Sequence, residues 1–169
     1  MNNEEKLSWM RRILIGKRPR RTLRVALLLA LLTFVICRYV VLPVRVQGLS
    51  MEPTFRNRSI HLAYMLAYSK KEPRRGDIVL ISMSGRGTMY MKRVLALPGE
   101  RISFMGGQLF VDGERINEGY LKERGSWTMP EMSLRSDEYF VAGDNRSVDI
   151  NYHTLGSVYR SDILGGILF

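Results

Sequence analysis

The chain has very little cysteine and histidine, and this scarcity excludes several kinds of site. Cys37 is its only cysteine, and His61 and His153 are its only histidines among 169 residues. One cysteine cannot form an internal disulfide or a zinc–thiolate cluster, and two isolated histidines do not make a metal-ligand set. The sequence therefore predicts no metal site and no cofactor, and a fold that its apolar core alone must stabilise.

Acidic residues are also scarce, with 16 Asp and Glu against 26 Lys and Arg, for a net charge of +10. Such an excess favours nucleic acid as a partner when the basic residues cluster on a folded surface. Here residues 1–24 hold eight basic and two acidic residues directly before an apolar run, whereas the rest of the chain holds 18 and 14. Positive charge in that position stays on the cytoplasmic side of a membrane and attracts anionic lipid. The charge therefore indicates a lipid bilayer as the partner and argues against nucleic acid.

A single apolar run follows the basic segment. Residues 25–44 read VALLLALLTFVICRYVVLPV, and a helix of twenty residues rises about 30 Å, the thickness of a bilayer core. Arg38 lies in the second half of the run, where a long side chain can reach the outer interface. A cleavable signal peptide is the alternative, but no small-x-small cleavage site follows Val40. We therefore expect a basic cytoplasmic segment (1–24), a transmembrane anchor (25–44) and an extracytoplasmic domain (45–169).

The remainder of the chain alternates short apolar and polar runs between turn residues. This pattern is typical of antiparallel strands, so the expected fold class is mostly β, an antiparallel sheet domain preceded by one N-terminal transmembrane helix. Asp112 and Gly113 lie between two such runs and predict a tight hairpin turn. A short helix is expected at 63–69 and a surface loop at 122–137. The predicted strands are 59–63, 77–82, 88–97, 101–104, 108–111 and 138–142.

Ser50 is a candidate nucleophile close behind the apolar run. It lies in GLSMEPT, with Gly48 two residues before it and Pro53 three residues after it. A turn of this kind can expose the hydroxyl for attack on a carbonyl and free the backbone N–H to stabilise the resulting oxyanion. A serine between glycine and proline is far more often an ordinary turn residue, so this segment alone is weak evidence.

Lys92 is a candidate general base. In YMKRVL the alternation of a strand puts Tyr90, Lys92 and Val94 on one face and Met91 and Arg93 on the other. A lysine on an apolar face loses solvation, and this loss lowers its pKa from about 10.4 toward the range of a base at neutral pH. The alternative is an ordinary strand lysine whose stem packs on the face while its amine reaches solvent.

Several segments together resemble the type I signal peptidases, the Ser/Lys serine peptidases that include the bacterial leader peptidases. The chain is similar to their short, Gram-positive form, and the order and spacing of the segments match the family from the apolar run to Gly156. The segments are GLSMEPT at 48–54, RGDIV at 75–79, MKRVLALPGE at 91–100, LFVDG at 109–113 and GDNR at 143–146.

The resemblance implies a membrane-bound serine endopeptidase that removes signal peptides from exported preproteins, cutting after small residues at the first and third positions before the cut. Ser50 would be the nucleophile and Lys92 the general base, and the Ser50 backbone N–H would bind the oxyanion. The oxyanion site and substrate groove would include Gly48, Met51 and Pro53. The active site would be supported by Tyr90, Arg93, Asp144, Asn145, Arg146, Asp149 and Asn151. The partners implied are preproteins bearing signal peptides and the bilayer of the cell membrane.

The pattern departs from the family after GDNR. Asp149 takes the place of the serine that orients the lysine in the family, Asn151 that of an aspartate, and His153 that of an arginine. If Asp149 lies beside Lys92, its charge favours the ammonium form and opposes general-base chemistry. The alternative is that Asp149 pairs with Arg93.

Other interpretations compete at the level of the sequence. The enzyme could cut many preproteins or be dedicated to a few, such as pilins, and the unusual segment after GDNR favours the second. A protein of this type could instead bind precursors and assist pilus assembly with little or no proteolysis. The mitochondrial inner-membrane peptidases are similar in length and motif order, but the short form favours a Gram-positive bacterium. His153 is a second candidate base, although Lys92 already fills that role.

Overall fold

The computed structural model describes residues 18–83, 89–147, 149–150 and 156–168. The chain divides into two compact units between Val40 and Val41. The first unit contains helix α1 (Pro19–Val35), which continues as a π-helical turn (Ile36–Val40). Pro19 suits the first helical position, because the N–H that it lacks would have no partner there. The run from Pro19 to Val40 is long and apolar enough to cross a membrane.

From Val25 onward helix α1 is apolar on all sides, and none of its side chains is buried. A helix of this kind suits a lipid environment, because no polar face is left for water. It differs from the predicted span 25–44 at both ends. The helix begins at Pro19, and the end of the predicted span, 41–44, belongs to the first strand.

The described part of the second unit contains two antiparallel sheets. In chain order their strands are β1 (Val41–Arg45), β2 (Ile60–Tyr64), β3 (Ile78–Ser82), β4 (Met89–Ala96), β5 (Arg101–Met105), β6 (Gln108–Val111), β7 (Glu114–Arg115), β8 (Met129–Ser133), β9 (Glu138–Ala142), β10 (Ser157–Tyr159) and β11 (Ile163–Leu168). The larger sheet has the order β1-β2-β11-β3-β4-β9-β10 and the smaller sheet the order β7-β6-β5-β8. A short 3-10 turn (Arg160–Asp162) precedes the last strand.

Strand β3 is buried on both faces and thereby fixes the position of β4. Ile78 and Leu80 pack into one apolar cluster, whereas Val79 and Ile81 pack into another. Because a slip of one residue would exchange the two faces, this packing specifies the pairing of β3 with β4. Val79 lies directly opposite Lys92 in that pairing.

Strands β1 and β4 of the larger sheet each leave part of a backbone edge open in the described ranges. Strand β1 pairs there with β2 alone. Strand β4 pairs with β3 from Met89 to Arg93, but with β9 only from Arg93 onward. Among the described residues, 89–92 therefore have an open edge on the side of β9. Open edges of this kind can accept a further strand.

The predicted fold class is confirmed. The predicted strands at 108–111 and 138–142 coincide with β6 and β9, and the other predicted strands overlap β2, β3, β4 and β5. The hairpin turn is also confirmed, since Asp112 and Gly113 have φ values of +50° and +80° and join the paired strands β6 and β7. Two positive φ angles match the right-handed twist of the flanking strands.

Two predictions about secondary structure are wrong. The helix expected at 63–69 does not form, because Ala63 and Tyr64 belong to β2 and the next residues make turns closed by Ala67 N–H on Tyr64 O and Ser69 N–H on Leu66 O. So short a segment cannot nucleate a stable helix against strand pairing. The surface loop expected at 122–137 contains β8, which pairs with β5.

Candidate active site

Ser50 lies on a turn that follows β1 closely. Gly48 has a φ of +99°, a conformation that favours glycine, and its N–H donates to Asn57 Oδ1 at 3.1 Å. Glu52 N–H donates to Leu49 O at 3.1 Å. Ser50 is half-buried, and neither its hydroxyl nor its N–H bonds to any residue in the described ranges. No described residue therefore competes with a bound molecule for these two groups.

The segment Gly143–Arg146 packs against the Ser50 turn through backbone contacts. Asn145 N–H donates to Ser50 O at 3.0 Å, and Asn145 Nδ2 donates to Leu49 O at 3.2 Å. A Cβ atom at Gly143 would collide with Ser50 O, so only glycine permits this close approach. The GDNR segment therefore holds the Ser50 backbone in place.

Lys92 lies in β4 with its side chain on an apolar face. Its neighbours on that face, Tyr90 and Val94, belong to one cluster with Val79, as the alternation of the strand predicts. Lys92 is 3% exposed, and its amine has no hydrogen bond or salt bridge to a residue that the structure describes. Burial lowers the pKa of Lys92 to about 8, although the charge of Asp144 acts in the opposite direction.

Asp144 is fully buried, and its carboxylate is bound by other groups. Arg93 donates from Nε to Oδ1 at 2.8 Å and from Nη2 to Oδ2 at 2.6 Å, and Thr54 Oγ1 donates to Oδ2 at 2.5 Å. The third nitrogen of Arg93 donates to Gly76 O at 2.7 Å. Because this bidentate pair neutralises the carboxylate, Asp144 does not overcome the effect of burial on Lys92.

A second buried ion pair supports the same segment from the far side. Arg146 Nη2 donates to Glu118 Oε1 at 2.6 Å, and Arg146 Nε donates to Gly143 O at 2.8 Å. Tyr120 donates its hydroxyl to the same Glu118 oxygen at 2.6 Å, and its ring lies 4.0 Å from the guanidinium of Arg93. Burial and the Glu118 carboxylate raise the pKa of Tyr120, so the hydroxyl stays a donor. The two ion pairs are thus connected through one tyrosine.

A single cleft of about 520 Å³ contains both Ser50 and Lys92. One wall comes from the end of β1 and the residues after it, and the other from the open end of β4. The remaining residues that line it are Pro43, Val44, Arg45, Val46, Gln47, Met51, Leu80, Met89, Tyr90 and Met91. The cleft thus brings a serine and a buried lysine together beside an apolar wall.

Some residues singled out in the sequence lie elsewhere. Pro53 lines a separate hollow with Asp144 and Asn145, and its peptide bond with Glu52 is cis. The carboxylate that binds Arg93 is that of Asp144, so the alternative in which Asp149 pairs with Arg93 is wrong. Asp149 itself is exposed. Asn151 and His153 lie outside the described residues.

Three contributors were not selected from the sequence: Thr54, Glu118 and Tyr120. The sequence could have indicated Thr54, because it is the last residue of the GLSMEPT segment that contains Ser50. Glu118 and Tyr120 lie in a segment between β7 and β8 that has no periodicity, so only the folded chain shows that they reach the site.

Known proteins are similar in sequence to this chain over most of its length. A profile of the family described as signal peptidase, peptidase S26, matches residues 20–169. Signal peptidase I P of Bacillus subtilis subsp. natto is 35% identical over 83% of this chain and 82% of its own length. The probable signal peptidase I-1 of Synechocystis is 31% identical over 87% of this chain and 78% of its own length. A solved signal peptidase I from Enterococcus faecalis matches with a TM-score of 0.45 and 26% identity, over 59% of this chain and 98% of that one.

The profile match covers the whole second unit, and the Bacillus and Synechocystis relatives named above are matched over more than two thirds of their lengths. The chain therefore belongs to the signal peptidase family, peptidase S26, and is a serine peptidase of the signal peptidase I type.

Proposed function

We propose that this protein cleaves signal peptides from exported preproteins with Ser50 as nucleophile and Lys92 as general base. The observation that carries the proposal is the cleft shared by Ser50 and a buried Lys92 whose amine has no carboxylate partner in the described ranges. A nucleophile and a base that line one cleft are what acyl transfer requires.

In the first step neutral Lys92 takes the proton of Ser50 Oγ as the oxygen attacks the carbonyl carbon of the scissile bond. The negative charge that develops on the carbonyl oxygen is stabilised by the free Ser50 N–H. The ammonium of Lys92 then gives its proton to the leaving amine, and the mature protein departs. A water molecule, deprotonated by Lys92 in turn, hydrolyses the acyl-enzyme and releases the signal peptide.

This mechanism needs the amine form of Lys92, so the rate depends on pH. With a pKa of about 8, half of the lysine is neutral at that pH, whereas an unperturbed lysine would be almost wholly protonated. The rate is therefore expected to rise with pH through about 8 and to level off above it.

The substrate binds in extended form between the open edges of β1 and β4. The backbone of an added strand can form hydrogen bonds with both edges. Its alternate side chains then contact the apolar wall formed by Val46, Met51 and Leu80. Small side chains at the first and third positions before the cut fit this alternation. The segment after GDNR favours a small set of substrates such as pilins.

The test is incubation of the full-length chain in detergent micelles with a preprotein, followed by sequencing of the new N-terminus. A pilin precursor is compared with a general secretory precursor. Cleavage at one site supports the proposal. Binding of the precursor without cleavage at any pH between 7 and 10 favours an assembly factor instead.

The proposed topology has one span, the N-terminus in the cytoplasm and the second unit outside. It is supported by the basic excess of residues 1–24 and by the one helix of suitable length that the described residues contain. Protease added to the outside of intact protoplasts is expected to digest the second unit and spare residues 1–24, as detected with an N-terminal tag. A protected second unit would reverse the orientation.

A further inference from the structure

The cleft carries an unbalanced positive charge. Among its described lining residues Arg45 and Lys92 are the charged ones, and both are basic. Lys92 is buried, whereas Arg45 is exposed and forms no salt bridge or hydrogen bond with any residue that the structure describes. Arg45 is thus a permanent cation at the cleft with no partner among the described residues.

The direction of the Arg45 backbone follows from its neighbour. Val46 N–H donates to Ser59 O and Val46 O accepts from Arg58 N–H, both at 2.9 Å, so the polar groups of Val46 point toward the side of β2. Backbone groups alternate in direction along a strand, so the N–H and C=O of Arg45 point to the open edge of β1. A peptide added to this edge therefore bonds to Arg45.

The direction of the Arg45 side chain follows from burial. Val44 and Val46 are buried in the apolar cluster that includes Met51 and Leu80, whereas Pro43 and Arg45 are exposed. Directly opposed residues of paired strands have their side chains on the same face, about 5 Å apart. A substrate residue opposite Arg45 therefore points away from the apolar cleft, and its two neighbours point into it.

We propose that Arg45 selects substrates with an acidic residue at the second or fourth position before the cleaved bond and disfavours substrates with a basic residue there. The inference rests on the proposed function, because the first and third positions are taken to fill the cleft. An exposed charge pair contributes little, so we expect a preference of about two- to five-fold in kcat/KM that weakens at high salt.

The test uses the full-length chain in detergent micelles and peptides that differ only at these two positions, with Asp, Asn or Lys at each. The variants are Arg45→Gln and Arg45→Glu, and the control is Arg115→Glu, an exposed arginine in β7 of the smaller sheet. We expect wild type and the control to prefer Asp over Lys, Arg45→Gln to show no preference, and Arg45→Glu to prefer Lys. Melting temperatures verify that every variant is folded.

The Asn peptides separate the inference from the proposed function. If Arg45→Glu and Arg45→Gln cut the Asn peptide and keep the wild-type ratio of Asp to Lys, the inference is overturned while the proposed function stands. If wild type cuts no peptide, the proposed function fails and the inference with it. An equal change of ratio in the Arg115→Glu control would show a long-range effect of net charge and would also overturn the inference.

Discussion

Replacing Ser50 or Lys92 with alanine is expected to reduce preprotein cleavage by at least about 10⁴-fold, because each change removes a group that the chemical step cannot do without. The second unit should stay folded, since neither side chain belongs to the apolar clusters. The measurement is the rate of product formation at saturating preprotein, with a melting temperature for each variant.

Matched controls are Ser69→Ala and Lys70→Ala, since both residues are exposed on the turns after β2. These variants should cleave at the wild-type rate. Near-normal cleavage by Ser50→Ala would refute Ser50 as the nucleophile. Near-normal cleavage by Lys92→Ala would show that another residue acts as the base.

Asp144→Asn is expected to have the second-largest effect, on stability and on the pH profile together. Arg93 would be left buried without its carboxylate, and breaking such a pair costs about 3–5 kcal/mol in the free energy of unfolding. Since the Asp144 charge raises the pKa of Lys92, its removal lowers that pKa further. The rising limb of cleavage against pH should therefore move to lower pH, measured below the variant's melting temperature.

Asp149→Ser is the matched comparison, because it also removes one carboxylate from the same segment. Asp149 is exposed, and the carboxylate that acts on Lys92 is that of Asp144. We therefore expect the rising limb of the cleavage rate against pH to stay close to that of wild type in Asp149→Ser. If the rise of the cleavage rate moves to lower pH in Asp149→Ser and not in Asp144→Asn, the result would support the hypothesis that Asp149 sets the pKa of Lys92.

The positions of Ser50 and Lys92 could be predicted because the sequence patterns that indicate them span only a few neighbouring residues. Ser50 and Lys92 lie in short segments whose residue types indicate a turn and a half-apolar strand, and the structure has both. Strands β6 and β9 alternate regularly between clear turn residues, so their bounds could be predicted as well. The roles of the two residues stay predictions until cleavage is measured.

The features that could not be predicted from the sequence depend on contacts between segments that are far apart in the chain. The sequence does not predict strand β11, because Gly165 and Gly166 interrupt its apolar pattern, although glycine is needed at 165, where a Cβ atom would collide with Tyr64 O. The pair between Arg93 and Asp144 joins residues from β4 and from the segment after β9. Periodicity along the chain does not indicate such a pair, so the sequence alone does not distinguish Asp144 from Asp149 as the partner of Arg93.

Titration of the Lys92 amine itself decides whether this lysine can serve as the general base. Full-length chain with ¹³C-labelled lysine ε-carbons is followed by NMR against pH in detergent micelles, and the Lys92 signal is assigned by its absence in Lys92→Met. We expect this signal to titrate near pH 8, well below the other lysines, in the range where the cleavage rate rises. A Lys92 signal that titrates near the ordinary value of about 10.4 would show an amine protonated at neutral pH and would refute the proposed role of Lys92.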